Sequence, residues 1–182
     1  MARIEQVRRE NLGTRQQQLY DDIMRTRPRG SLSGPFSVWI YRPDIAEPAN
    51  QLANCFRVSP TLDKRLIELI VLLMCRDATA KYAWSAHVNL AREAGLSAET
   101  IESIRARKRP EFGRDDERVV YDLVTELIAS KKVSPATFRR AEAALGRDGI
   151  IEAVSCAGFY GMIGFVLNTF EIPPQPGGDV LS

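Results

Sequence analysis

The sequence contains one side chain that exchanges a proton readily near neutral pH, the single histidine His87. It lies in the segment AKYAWSAHVNLAREAG, close to Tyr82, Trp84 and Ser85. A histidine in this setting is either a general acid or base, or a structural residue that only satisfies a hydrogen bond. We take His87 as the leading candidate for catalysis and keep the structural role as the alternative.

Glu68 is the second candidate because it stands in the middle of the most apolar segment, LIELIVLLMC. A carboxylate among apolar groups must find a partner or take up a proton. The candidate partners are His87 and an arginine such as Arg76 or Arg42. Two interpretations remain open, a catalytic pair and a buried ion pair that only joins two helices.

Trp39, Tyr41 and Arg42 stand close together in a segment rich in proline and glycine. A guanidinium beside aromatic rings is a common way of holding a planar carboxylate, so these residues are candidate substrate contacts. The alternative is that the aromatic rings fill an edge of the core. Tyr160 and Asn168 are polar groups in the last apolar segment and could face the same pocket.

The cysteines offer neither a disulfide framework nor a Cys-x-x-Cys pair, because Cys55, Cys75 and Cys156 are odd in number and far apart. Their apolar neighbours predict small buried side chains. One histidine and scattered cysteines cannot supply the usual zinc ligands. Nucleotide, flavin and nicotinamide fingerprints are missing. We therefore expect neither a metal nor an organic cofactor.

The charge balance, 25 Lys and Arg against 23 Asp and Glu, gives a net charge of only +2, so we expect no nucleic-acid partner. The N-terminal segment MARIEQVRRENLG lacks the apolar stretch of a secretory signal, which favours a cytoplasmic location. The apolar stretches 66–75 and 150–167 are too short or too interrupted to be good membrane spans.

Helical spacing and turn signals predict one all-α domain over residues 1–182. We expect N-terminal helices and an aromatic loop in 1–58, core helices in 59–172 and an irregular tail in 173–182. Ser59 and Pro60 are typical of a helix start, and Gly95 is typical of a helix end. The predicted helices cover 14–24, 45–56, 60–77, 80–95, 97–104, 115–129, 135–145 and 148–170. In the last of them, Gly158, Gly161 and Gly164 favour close helix packing.

The segment LIELIVLLMCRDATAKYAWSAHVNLAREAGLSAETI resembles the core helical hairpin of the carboxymuconolactone decarboxylase and alkylhydroperoxidase D-like family. GPFSVWIYRPDIAE upstream, and VVYDLVTELIASKKVS with LNTFEIPP downstream, are also similar to members. The resemblance implies a single-domain alkylhydroperoxidase D-like helical bundle that assembles as a trimer or hexamer.

Peroxidases of this family carry a Cys-x-x-Cys pair followed by His, with a Glu upstream. By this resemblance the Glu and His correspond to Glu68 and His87, while the cysteine positions correspond to Ala80 and Ala83. Reduction of peroxide in that way requires a thiolate and a resolving thiol. The pattern is more similar to the decarboxylase branch, which acts without metal or organic cofactor.

The resemblance therefore implies a lyase acting on a small carboxylated lactone or an aromatic-derived compound. His87 would act as acid or base, Glu68 would orient it, and Tyr82 and Trp84 would join the substrate contacts. A thiol-dependent peroxidase using Cys75 or another cysteine is one alternative. A noncatalytic protein that binds a small ligand or serves as an assembly partner is another.

Overall fold

The computed structural model describes residues 2–26, 32–174, 177–179 and 181. These residues form helices and connecting segments, without a β-strand among them, so the all-α prediction is confirmed. The helices in chain order are α1 (Thr14–Thr26), α2 (Pro35–Trp39), α3 (Pro43–Arg57), α4 (Lys64–Asp77), α5 (Lys81–Glu93), α6 (Ala98–Arg105), α7 (Asp115–Ser130) and α8 (Pro135–Thr169). A short 3-10 turn, Arg9–Asn11, precedes them.

Helix α4 lies at the centre of the fold, in contact with α5, α6, α7 and α8. Its apolar residues run almost all the way round, and every residue from Leu69 to Cys75 is buried. Such a helix is expected to pack on several sides. Glu68 is the polar exception within this apolar run, which makes its surroundings important for function.

The start of α4 differs from the prediction at Ser59 and Pro60. The helix begins at Lys64, and the Asp63 carboxylate caps it by accepting a hydrogen bond from the backbone N–H of Arg65 at 2.8 Å. Ser59 with Pro60, and Asp63, are both typical of a helix start. Asp63, which is nearer the apolar residues, is the one that caps the helix. The preceding residues form a connection whose Leu62 N–H donates to Glu152 of α8 at 2.6 Å.

Helix α3 contains two prolines and begins two residues before the predicted start at residue 45. Pro43 occupies the first turn, where its missing N–H has no intrahelical acceptor in any case. Pro48 stands in the interior and removes one backbone hydrogen bond. The buried face formed by Ala46, Ala49 and Ala53 holds the helix together despite this loss.

A buried ion network joins α4 to α7. Arg65, whose side chain is only 4% exposed, donates to Asp116 at 2.7 Å and to Glu117 at 2.5 Å. Burial alone would raise the pKa of Asp116, but the hydrogen bond and charge of Arg65 outweigh it and hold that pKa below its ordinary value. The network fixes α7 against the central helix.

Helix α8 is kinked at Gly146, whose backbone has φ 67° and ψ 177°. The kink separates 135–145 from 147–169, close to the two helices that we predicted. Although we did not expect a good membrane span in 150–167, α8 is long and apolar enough to cross a membrane by length and composition alone, a test that the core helix of a folded domain also passes. Of its most apolar window, 44% is buried inside the protein.

Candidate active site

One face of α5 forms a wall of a pocket. The pocket-lining residues of α5 are three or four positions apart or adjacent, so they form one stripe of the helix that faces the pocket. The stripe consists of Tyr82, Ala83, Ala86, His87 and Leu90. His87 lies in the middle of this stripe, between small and apolar side chains.

His87 is hydrogen-bonded to Glu68, with 2.8 Å between Nδ1 and Oε2. The side chains of His87 and Glu68 are 17% and 15% exposed, so the pair is largely shielded from bulk water. Of the partners that we considered for Glu68, the structure therefore selects His87. An ionised carboxylate can only accept, so Nδ1 carries a proton and Nε2 is the nitrogen directed towards the pocket.

Tyr160 of α8 supplies the third polar group, because its hydroxyl lies 3.2 Å from Nε2 of His87. The two rings stand perpendicular, with centroids 5.2 Å apart. When the imidazole is neutral, the hydroxyl donates to Nε2. When the imidazole is protonated, Nε2 donates to the hydroxyl oxygen. Glu68, His87 and Tyr160 thus form a continuous hydrogen-bonded chain from α4 through α5 to α8.

The chain ends at a cavity of about 420 Å³, which is mostly apolar. Its volume suits a small molecule of one or two rings. Besides the α5 stripe and Tyr160, it is lined by Ile23, Met24, Thr26, Leu32, Ser33, Pro35, Phe36, Ala53, Arg57, Phe159, Ile163 and Leu167. The N-terminal helices therefore complete a pocket whose polar chain comes from the core.

Tyr82 lines this pocket and also separates it from a second cavity of about 700 Å³. Its hydroxyl donates to Ser33 Oγ at 2.8 Å, and both cavities share Leu32, Ser33 and Tyr82. Gly34 permits the close fit: its φ is +66°, and a Cβ there would lie 2.5 Å from the Tyr82 ring. The structure thus places Tyr82 where we expected a substrate contact.

The aromatic loop does not reach the pocket in the way that we predicted. Trp39 is buried against Phe36 and Phe159, with ring centroids 5.2 and 6.2 Å away, and so it belongs to the core. Tyr41 and Arg42 are exposed and do not line the pocket. Arg42 precedes α3, and its carbonyl accepts the first hydrogen bonds of that helix.

Trp84 and Asn168 also lie away from the pocket. Trp84 is fully buried, and the guanidinium of Arg105 stands 4.9 Å from its ring centroid. Asn168 donates from Nδ2 to the carbonyl oxygen of Ala78 at 2.7 Å, so it closes the end of α4. The roles of both residues in this structure are packing and helix termination.

Arg57 and Phe159 line the pocket, although the sequence analysis did not single them out. For Phe159 a signal was present, because it forms one helical stripe with Ile163 and Leu167. Arg57 ends α3 among other polar residues, and no local pattern distinguishes it from the arginines elsewhere on the surface.

The thiols lie outside the pocket lining. Ala83 occupies one family cysteine position on the pocket wall, and Ala80, at the other, is buried at the start of α5. Burial raises the pKa values of Cys75 and Cys156, and the Glu68 charge adds to the effect. Cys55 is exposed, which corrects our prediction of a buried side chain. It lies on the outer face of α3.

The described residues include no group of three or more His, Cys, Asp or Glu side chains placed to hold a metal ion. The polar groups that Glu68, His87 and Tyr160 bring to the pocket are a carboxylate, an imidazole and a phenol, which can exchange protons along their hydrogen bonds.

The family model of the carboxymuconolactone decarboxylase family matches residues 45–125. These residues carry a carboxymuconolactone decarboxylase family domain. The match contains both Glu68 and His87, whereas Tyr160 and much of the pocket wall lie outside it. A comparison with curated proteins finds none that matches the sequence.

Solved structures with the same arrangement of helices show that this chain has the alkylhydroperoxidase D-like fold. An alkylhydroperoxidase AhpD core, an uncharacterized peroxidase-related protein from Ralstonia eutropha JMP134, superposes with a TM-score of 0.79 at 17% identity, covering 96% of this chain and 93% of that one. The apo structure of the debrominase Bmp8 superposes with a TM-score of 0.73 at 13% identity, covering 94% of this chain and 91% of that one. An uncharacterized peroxidase-related protein from Silicibacter sp. TM1040 superposes with a TM-score of 0.71 at 16% identity, covering 96% of this chain and 89% of that one.

Proposed function

We propose that the protein is a cytoplasmic, cofactor-independent lyase of the decarboxylase type. Its substrate is a small carboxylated lactone or an aromatic-derived compound, and His87 donates or accepts the proton. The observation that carries this proposal is the hydrogen-bonded chain of Glu68, His87 and Tyr160 opening into an apolar pocket. The pocket volume agrees with a ligand of one or two rings, and a structure of the neighbour Bmp8 holds one such ring, 2,3,4-tribromopyrrole.

In this reaction the bond between the carboxylate and the adjacent carbon breaks, and carbon dioxide leaves. The electron pair stays on that carbon and spreads into a neighbouring carbonyl or double bond of the substrate. An apolar surrounding favours this step because the charge becomes less localised as the carboxylate is lost. The carbon is then protonated, which requires an acid within hydrogen-bonding reach.

His87 supplies that acid from Nε2, either directly or through the Tyr160 hydroxyl. Glu68 holds the opposite nitrogen, Nδ1, so the ring keeps one orientation and the imidazolium has a counter-charge 2.8 Å away. After the transfer, Nε2 is an acceptor and Tyr160 can donate to it again. The neutral imidazole could also accept a proton from the substrate at Nε2, so the same hydrogen-bonded groups would suit an isomerase step.

The first test uses His87→Gln and Glu68→Gln with carboxylated lactones and their ring-cleavage relatives as substrates. We expect His87→Gln to retain the helical circular dichroism spectrum and to lose at least about a hundredfold in turnover, the usual contribution of a positioned acid or base. Glu68→Gln should lose less, because the amide can still orient the ring. Unchanged release of carbon dioxide by folded His87→Gln would contradict the proposal.

The thiol-dependent alternative is tested separately, because peroxidase-related proteins share this fold. Cys75 and Cys156 are buried with raised pKa values, which disfavours the thiolate that attacks peroxide. We expect the Cys55→Ser, Cys75→Ala and Cys156→Ala triple variant to keep its lyase turnover. Peroxide reduction by the wild type that disappears in this variant would instead support the thiol mechanism.

A noncatalytic role in ligand binding is separated from catalysis by thermal shift with lactones and aromatic acids. A ligand that binds only the folded state raises the melting temperature. Stabilisation of the wild type without turnover of any stabilising compound would favour the binding role. Stabilisation accompanied by His87-dependent turnover supports the lyase.

We further propose that the protein assembles with copies of itself, as a trimer or hexamer. The supporting observation is an exposed apolar stripe along one face of α8, formed by Ile151, Val154, Met162 and Phe165. Phe165 is 74% exposed. Contiguous apolar surface of this kind typically marks an interface.

A further inference from the structure

Tyr82 borders two cavities. One is the pocket of about 420 Å³ that contains His87, and the other has a volume of about 700 Å³. Of the described residues, three line both cavities, namely Leu32, Ser33 and Tyr82. Tyr82 has the largest side chain of the three, and the residue is only 8% exposed. Its aromatic ring is therefore the main partition between the two cavities.

The ring of Tyr82 is held both at its hydroxyl and at its edge. The hydroxyl donates to Ser33 Oγ at 2.8 Å. The ring atom Cε1 lies so close to Gly34 that a Cβ on Gly34 would be 2.5 Å away. A side chain at position 34 would displace the ring, so the glycine permits the close fit. Ser33 and Gly34 thus fix the position of the ring.

The backbone beneath the ring is fixed as well. The Gly34 carbonyl oxygen accepts one hydrogen bond from Ser37 Oγ at 2.7 Å and another from the Ser37 N–H at 3.2 Å. Ser37 is buried, and hydrogen bonds are stronger in the protein interior than in water. The Tyr82 backbone belongs to α5 and is fixed by that helix. Ordered structure therefore holds the partition on both sides.

A ring fixed at this position limits how far a ligand in the His87 pocket can extend. We propose that Tyr82 determines substrate specificity: its ring closes the pocket towards the second cavity and restricts the substrate to compact ring compounds without a long substituent. This step rests on the proposed function, which places the substrate in this pocket. Removing the ring would join the two cavities and admit longer compounds.

The second cavity offers suitable surroundings for an apolar substituent. Ile4 and Val7 of the N-terminal segment line it, together with Ile172 after α8. An alkyl chain that entered this cavity would lose contact with water and gain apolar contacts. Space and apolar surface are thus available beyond the Tyr82 ring, and the ring itself is what excludes the substituent.

The 4-alkylphenols from phenol to 4-octylphenol are matched probes, because they share one uncharged ring and differ only in chain length. In calorimetric titrations, each methylene that enters an apolar space should improve affinity by up to about fourfold. We expect this gain to stop in the wild type once the chain reaches the Tyr82 ring. The chain length at which it stops is the length limit.

Tyr82→Ala should abolish the length limit, because the chain can then pass into the second cavity. We expect 4-octylphenol to bind Tyr82→Ala at least about tenfold more tightly than it binds the wild type, the gain from roughly two additional buried methylenes. Tyr82→Phe should keep the length limit, since it loses the bond to Ser33 but retains the ring against Gly34. Binding to the exposed stripe of α8 would not depend on Tyr82.

Ile4→Trp is the matched control, because Ile4 lines the second cavity and not the His87 pocket. Alone, it should leave the affinities of the wild type unchanged, since the Tyr82 ring separates the two cavities. In the Tyr82→Ala background it should fill the space that the chain enters. The double variant should therefore regain a length limit.

The role of Tyr82 is overturned if the wild type binds none of the series, or if its affinity rises through 4-octylphenol. It is also overturned if Tyr82→Ala keeps the wild-type length limit, or if Ile4→Trp does not weaken the long members in the Tyr82→Ala background. If Tyr82→Ala does not fold, Tyr82→Leu replaces it, because leucine also removes the ring but retains more apolar volume. The same outcomes then decide.

These binding results are independent of the test of the lyase. Loss of turnover in His87→Gln together with a wild-type affinity that rises through 4-octylphenol would reject the role of Tyr82 and keep the proposed function. A length limit that disappears in Tyr82→Ala, without lyase turnover by the wild type, would reject the lyase and keep the role of Tyr82.

Discussion

The imidazole of His87 is hydrogen-bonded at both nitrogens, and this determines which nitrogen faces the pocket. Glu68 engages Nδ1 at 2.8 Å, leaving Nε2 as the nitrogen that faces Tyr160 and the pocket. The alanine at position 83, one turn before His87, keeps the pocket wall small and free of a thiol. These side chains therefore favour proton transfer over thiol chemistry.

Replacing Tyr160 by phenylalanine tests whether the hydroxyl takes part in this transfer. Tyr160→Phe removes the contact to Nε2 and keeps the ring against Phe159. We expect turnover to decrease by about tenfold to a hundredfold, because a positioned proton donor is lost. The free energy of unfolding should change by only about 1 kcal/mol, as is typical of one hydrogen bond.

Tyr121→Phe serves as the control for this prediction. Tyr121 is a partly buried tyrosine of α7 that packs on Phe112 and does not line the pocket. Its variant should keep wild-type turnover in the same assay. An equal decrease in both variants would indicate a general effect on packing instead of a role for the Tyr160 hydroxyl.

Residue type alone predicted part of the candidate site. Glu68 and His87 stand out because an acid in an apolar helix and a single histidine are unusual in any sequence. Arg42 and Arg57 show the limit of such reasoning. Both flank α3, at opposite ends, and only the tertiary arrangement brings the second to the pocket. Proximity to aromatic residues in the sequence favoured Arg42, which does not line this pocket.

At the scale of elements, the helices were predicted from apolar spacing because each buries one face against the core. The start of a helix was predicted correctly where a capping side chain stands directly before the first helical residue. Ser97 and Ser134 cap α6 and α8 as expected, by accepting from Thr100 and Thr137. The predicted helix start at Ser59 was wrong because Asp63 caps the helix closer to the apolar residues. Both residue types are good caps, so the sequence alone does not show which of the two the helix uses.

The glycines of α8 provide a test of how closely this helix must approach the turn between α4 and α5. A Cβ at Gly164 would lie 2.7 Å from that of Ala78, whereas a Cβ at Gly158 would meet nothing within 4 Å. Gly164→Ala should cost about 1 to 3 kcal/mol of unfolding free energy through overpacking. Gly158→Ala should add about 0.5 to 1 kcal/mol, because alanine restricts the unfolded chain.

Urea unfolding followed by circular dichroism measures both glycine variants. They lie on one helix and introduce the same methyl group, so helix propensity cancels in the comparison. A stabilised Gly164→Ala protein would mean that α8 approaches the turn less closely than the structure shows. We also expect Gly164→Ala to lose turnover, because a shift of α8 moves Tyr160 away from His87.

At the scale of the whole molecule, the pocket is built from two parts of the chain. Residues 45–125, which carry the family match, contribute Glu68 and His87. Helices α1 and α2 and the end of α8 lie outside the match and supply much of the wall, including Met24, Phe36 and Leu167. The hydrogen-bonded pair of Glu68 and His87 thus belongs to the part of the chain that matches the family model, and the shape of the pocket depends on the segments around it.

Self-association is the property of the whole molecule that the α8 stripe predicts, and Phe165→Glu tests it. Burial of one phenylalanine contributes about 1.5 to 3 kcal/mol, and a buried carboxylate without a partner costs more. By light scattering coupled to size exclusion, the wild type should have three or six times the chain mass of 20.4 kDa. Phe165→Glu should elute at the mass of one chain.

Phe138→Glu is the control for Phe165→Glu, since Phe138 is a 45% exposed phenylalanine on the other side of the Gly146 kink. We expect it to keep the wild-type mass. A wild type with the mass of one chain would reject the assembly outright. Unchanged assembly in Phe165→Glu would place the interface elsewhere on the surface. Phe165 does not line the pocket, so a dissociated variant that keeps the wild-type turnover would show that one chain holds a complete site.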